Sequence, residues 1–104
     1  MDGTINKDID KLTVVATSVG SVIRTARTFS LSGYTTLHAI AKADNANSVY
    51  VAVNPVGGSQ KYVYFNTFES EVSVSIASES SRYAVGEIGA NSNKGGYVKA
   101  VWLE

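Results

Sequence analysis

The chain has 104 residues, nine basic and nine acidic side chains, no cysteine, and charged residues at only 17%. The length suits one domain with a self-sufficient core, and the absence of cysteine excludes disulfide staples and thiolate metal sites. Neutral balance with scattered Lys and Arg excludes the basic footprint of a nucleic-acid or anionic-lipid binder, and no apolar run reaches the roughly 18 residues of a membrane-spanning helix.

In chain order, residues 1–10 (MDGTINKDID) predict a flexible polar segment that lacks the basic-then-apolar order of a signal peptide. Asp2, Asn6, Asp8 and Asp10 supply oxygens in the manner of a calcium loop. Neither the glycine nor the closing glutamate of such a loop falls in register, so no metal is assigned. Leu12 to Thr17 reads as a strand. From Thr17 to Arg27, Val19, Val22, Ile23 and Ala26 stand at helical spacing, and a short helix over 18–28 competes with a strand there. Thr35 to Ala43 holds good helix formers. The turn residues 44–47 lead straight into the valines that follow, which favours a strand–turn–strand hairpin.

Beyond that turn the period is two. Val49, Val51 and Val53 share one face, and Tyr50 and Ala52 take the other. After Pro55-Val-Gly-Gly-Ser59, a strand from Lys61 to Phe68 alternates Tyr62 and Tyr64 with Val63 and Phe65. In the strand 71–78, Val72, Val74 and Ile76 face inward and Ser73, Ser75 and Ala77 outward, which is the mark of a half-buried antiparallel strand. A turn at 79–81 precedes a strand from Arg82 to Glu87. The closing strand starts at Tyr97, with Trp102 on the face of Val98 and Ala100 as a core or subunit contact. Leu103-Glu104 matches the dipeptide of a cloning junction, which predicts no functional weight for these two residues. The expected domain is therefore an all-β antiparallel β-sandwich over 11–102, of jelly-roll or immunoglobulin-like size with roughly seven or eight strands.

The motifs are poor in chemistry. Gly89-Ala-Asn-Ser-Asn-Lys-Gly-Gly96 is glycine-rich, but a phosphate loop needs Lys after its glycines, a following Ser or Thr, and a helix. Here Lys94 precedes them and a strand-like stretch follows. The segment reads as a turn in which Asn91, Asn93, Gly95 and Gly96 tolerate positive φ. His38 is the sole histidine, too few for a triad or a zinc site within one chain, and belongs on a polar strand face. Glu69 and Glu71 stand two apart, at roughly 6.5–7 Å along a strand, and read as solvated edge residues rather than a glycosidase pair. No catalytic residue and no cofactor are assigned. The candidate ligand-binding residues are Tyr50, Tyr62, Tyr64 and Asn66, because tyrosines beside amides on a flat sheet stack on sugars or fill interfaces.

Ser/Thr/Asn/Gly-rich strands, missing cysteine, low charge and the closing strand Gly96-Tyr-Val-Lys-Ala-Val-Trp102 together resemble the small β-sandwich modules of tailed-phage and prophage virions. Tail-fibre and receptor-binding heads are the nearest type. The resemblance implies a non-enzymatic structural or binding module of a virion or cell surface. Such a module forms homo-oligomers or contacts other virion proteins, and meets a host protein or glycan. It implies no nucleic-acid partner and no membrane insertion. The style is also similar to bacterial carbohydrate-binding and adhesin domains, which makes a monomeric binding module of a secreted protein the alternative.

Overall fold

The structure is a computed structural model and describes residues 3–7, 12–16, 20–77 and 83–104. Every regular element among these residues is a strand. They are β1 (Gly3–Lys7), β2 (Leu12–Ala16), β3 (Ser21–Arg24), β4 (Phe29–Ser30), β5 (Thr36–Ala43), β6 (Val49–Pro55), β7 (Lys61–Tyr64), β8 (Ser70–Ser75), β9 (Tyr83–Ala90) and β10 (Gly95–Leu103). One sheet has the order β1-β2-β10-β5-β8, and the other β3-β9-β6-β7 with β4 also paired to β9. Each described pairing is antiparallel. The chain is an all-β antiparallel sandwich, as its patterning predicts.

Alternation decides which side of each strand is buried. On β5, Leu37, Ala39, Ala41 and Ala43 are buried, while Thr36, His38, Ile40 and Lys42 remain partly accessible. Val49, Val51 and Val53 of β6 join them in one core with Leu31, Phe65, Ile76, Ala84, Ala90 and Val98. Alanines of one sheet and valines of the other face each other across this core. Each fully buried valine contributes about 1.5–3 kcal/mol over an exposed one. On β8, Ser73 and Ser75 are exposed and Val72 and Val74 pack against the core, the faces expected from their period.

The turn at 44–47 does not close a hairpin. β5 and β6 lie in opposite sheets, and the turn carries the chain across the end of the core. Both strands have an apolar face, and burying the two against each other requires stacking rather than side-by-side pairing. The glycine-rich connection is likewise a turn that crosses between sheets, from β9 to β10. Lys94 N–H donates to the Asn91 carbonyl (3.1 Å), and Asn93 has φ 59°. Asn47, in the neighbouring crossover, has φ 53°. The two crossovers are tied together, since Asn91 donates from its backbone to the Ser48 carbonyl (2.8 Å) and from its side chain to the Asn47 carbonyl (3.0 Å).

Three further expectations are corrected. Ser21–Arg24 is a strand paired with Glu87–Ala90, so the helical spacing of Val22 and Ile23 loses to the edge of β9. Gly95 and Gly96 are not positive-φ turn residues but the first two residues of β10, between β2 and β5. Trp102 does not share a face with Val98. The register between β10 and β5 shifts between Val98 and Ala100, and a one-residue shift inverts the faces of everything beyond it. Asp2, Asp8 and Asp10, and the turn at 79–81, lie outside the described residues.

Candidate functional site

The outer face of the second sheet is built by residues that alternate with its core side chains. Register places Tyr64 opposite Tyr50, and Tyr62 opposite Ala52, across β7 and β6. Across β6 and β9 it places Gly89 opposite Tyr50 and Glu87 opposite Ala52. Arg24 of β3 pairs with Glu87 on the far side. The three sequence-selected tyrosines thus meet on one face. Their rings are mutually edge-to-face: Tyr50–Tyr62 at 6.1 Å, Tyr50–Tyr64 at 6.0 Å and Tyr62–Tyr64 at 5.5 Å between centroids. This is the arrangement that ring quadrupoles favour. Tyr62 is 48% exposed, and Val63 and Phe65 point to the core as the alternation requires.

Beside the tyrosines sits a buried carboxylate. Glu87 is only 4% exposed, and both of its oxygens are fully engaged. Oε1 accepts from Arg24 Nε (2.8 Å) and Asn54 Nδ2 (3.0 Å). Oε2 accepts from the Tyr50 hydroxyl and from Gln60 Nε2 (3.3 Å), which also donates to Asn54 Oδ1 (2.9 Å). Burial pushes the Glu87 pKa up, but bonds from Tyr50, Arg24 and Asn54 and the guanidinium charge outweigh it and hold the group below the ordinary glutamate value. Tyr50 is pushed well above the ordinary tyrosine value, first by burial and then by its bond to Glu87. The same carboxylate raises Arg24, mainly through the shared hydrogen bond.

This arrangement orients donors around one carboxylate. A carboxylate offers about four lone-pair positions, and all four are occupied here. Glu87 is therefore neither a free base nor a nucleophile. It fixes the Tyr50 ring, the Arg24 side chain and two amides on one surface.

Gly89 is the second fixed point. A Cβ there would overlap the Tyr50 ring at Cε1, Cζ and the hydroxyl. The ring lies directly over the glycine. Gly89→Ala is expected to push Tyr50 off Glu87 while leaving the sandwich folded, because a ring can swing where a backbone cannot. Near-ultraviolet dichroism of the tyrosines should change while far-ultraviolet dichroism stays the same. An unchanged near-ultraviolet spectrum would show that Tyr50 does not need the glycine.

Asn66, the fourth sequence-selected residue, lies beyond the end of β7. Its carbonyl accepts from Ala43 N–H of the other sheet (2.8 Å), and its side chain donates to the Ser70 hydroxyl (2.8 Å). Arg24, Asn54, Gln60 and Glu87 escaped the sequence reading. The available signal was a lone acidic residue in mid-strand, two before Gly89 on the same face, where an outer sheet face has little reason to use glycine.

The outer face of the first sheet carries a smaller cluster. His38 stacks on Trp102 at 5.1 Å and 11°. Its Nε2 is 2.9 Å from Glu104 Oε1 and its Nδ1 is 3.5 Å from Glu71 Oε2, in ion-pairing range but without hydrogen-bond alignment. Glu69 accepts from the Tyr97 hydroxyl (2.6 Å), which raises that hydroxyl's pKa, and also pairs with Lys99 Nζ (3.2 Å). Among the described residues no group of His, Asp and Glu is arranged to hold a metal. No protein family and no curated protein matches the chain.

Proposed function

We propose that the chain is a non-enzymatic structural and binding module that presents the tyrosine face of β7, β6 and β9 to a partner surface. The proposed setting is a tailed-phage or prophage virion, where the partner is another subunit or a host protein or glycan. One observation carries the reading. Tyr50, Tyr62 and Tyr64 are locked into one aromatic group beside a carboxylate whose acceptor positions are all filled. Such a surface is ordered in advance, and tyrosine supplies contact area at low conformational-entropy cost. The Asn54 and Gln60 amides, next to the rings, favour a polar neutral ligand, which keeps the monomeric carbohydrate-binding module as the second reading.

Tyr62 is the residue to test, because it is exposed and contributes little to the core. Tyr62→Ala is expected to cost the fold about 1–3 kcal/mol, the worth of its two ring pairs, and to lower ligand binding about tenfold, the scale of an interface anchor. A glycan array and light scattering across a concentration range are the measurements. A closed oligomer favours the virion reading, and a monomer with reproducible glycan signals lost in Tyr62→Ala favours the second. A monomer that gives no glycan signal removes the support for both.

A further inference from the structure

The free side of β10 changes character halfway along. β2 pairs with it from Gly95↔Val15 to Val98↔Leu12. At this end of the pairing Leu12 also pairs with Lys7 of β1 on its other side. Beyond the register shift, residues 100–103 pair with β5 on one side. No strand among the described residues pairs with them on the other.

Parity identifies which groups are left over. Thr36 and Glu104 exchange both backbone bonds, at 3.0 and 2.9 Å. In an antiparallel ladder such pairs alternate with pairs whose N–H and C=O point away from the partner. Ala100 and Trp102 therefore direct theirs to β5, and Val101 and Leu103 present theirs to the open side. By the same alternation the side chains of Val101 and Leu103 face into the sandwich. Val101 is nevertheless 41% exposed. These two side chains line a cleft of about 540 Å³ between the sheets, together with Ile23, Phe29, Leu37 and Ile88.

We propose that residues 100–103 form a strand-addition site for an extended segment of a partner protein, apolar at alternate positions. Its backbone pairs with the N–H and C=O groups of Val101 and Leu103 that no described strand engages. Residues directly opposite one another across a ladder point to the same face, so its apolar side chains enter the cleft. A second copy meeting this edge with its own residues 100–103 keeps its Val101 and Leu103 over its own cleft, so the cleft here stays unfilled. A small apolar molecule fills the cleft but leaves the edge unpaired. An extended strand satisfies both.

The probe is a soluble heptapeptide of alternating Thr and Val, compared with the same peptide N-methylated at its pairing amides. Hydrogen exchange is followed at the Val101 and Leu103 amides. The parent peptide is expected to bind 1:1 and slow both amides about tenfold or more, and the methylated peptide to do neither. Val101→Pro removes a donor that β5 does not use, a position where an edge strand tolerates proline. This variant should fold and bind the parent peptide at least about tenfold more weakly. Equal binding of both peptides overturns the proposal, as does no binding of the parent up to about 1 mM. An apolar dye that fills the cleft of the chain without competition from the parent peptide also overturns it, and identifies a small-molecule site instead.

Discussion

Replacing Gly96 by alanine is expected to unfold the domain at temperatures where the parent chain is fully folded. Gly96 sits on β10 between Val14 of β2 and Ala43 of β5. A Cβ at this position would overlap the Lys42 carbonyl oxygen and stand 3.0 Å from the Ala43 Cα. Both obstacles are backbone of a paired central strand, so neither can swing aside as a side chain does. The collision is relieved only by moving β5 away from β10, at the point where Asp44 N–H also bonds to the Gly95 carbonyl (2.9 Å). A cost of about 3 kcal/mol, the upper part of the overpacking range, follows. In a domain of this size that lowers the melting temperature by about 12 °C or more. Gly86→Ala is the control. Its Cβ would meet Thr25 Cγ2 at 3.4 Å and Phe29 Cε1 at 3.5 Å, ordinary contacts with side chains that can adjust. Its melting temperature should stay close to that of the parent, and equal losses for the two variants would show that strand glycines matter here only for backbone freedom.

That contrast marks what the sequence can and cannot disclose. Alternation is a local property, so the inward Val72, Val74 and Ile76 and the shared face of Tyr62 and Tyr64 are legible from spacing alone. Alternation says which face a strand buries but not which strand lies beside it. For this reason β5 and β6 read as a hairpin, although they face each other across the core. The shift between Val98 and Ala100 is also invisible to spacing, because a single extra residue inverts parity and carries Trp102 to the opposite side from Val98. Gly96 looked like a turn residue because glycine has two uses, positive φ and close approach, and only the fold shows which one applies. The candidate site was legible by half. The tyrosines announce themselves by alternation, whereas Glu87 draws its donors from Arg24, Tyr50, Asn54 and Gln60, on three separate stretches of chain. Arg24 is 63 residues away. No short-range pattern records such a convergence.

Glu87 is accordingly where the second large effect is expected. Glu87→Gln keeps the shape but turns one acceptor oxygen into a donor group. Whichever way the amide lies, its NH2 meets a donor, either Arg24 and Asn54 or Gln60, although the Tyr50 hydroxyl can turn to accept. Charge-assisted hydrogen bonds are worth about 1.5–3 kcal/mol each, and Arg24 can turn to solvent, its side chain being 60% exposed. A net loss of about 2 kcal/mol is expected, smaller than for a fully buried ion pair because no charge is left stranded. The pH dependence separates this cause from simple misfit. Glu87 titrates below 4.5 in the folded chain and near 4.5 in the unfolded one. Its contribution is therefore fully present above pH 4.5 and declines as pH falls through the lower folded value. Tyr50 behaves in the opposite sense. Its folded value lies above the ordinary 10.0, so the neutral hydroxyl contributes fully below pH 10.0, and that contribution is lost as pH rises further. Denaturant melts of the parent and Glu87→Gln chains should thus differ most between these limits, with the gap closing on acidification. A gap that stays constant down to acid pH would mean that the carboxylate charge does not organise the tyrosine face. The donors gathered on this surface would then be held by packing alone.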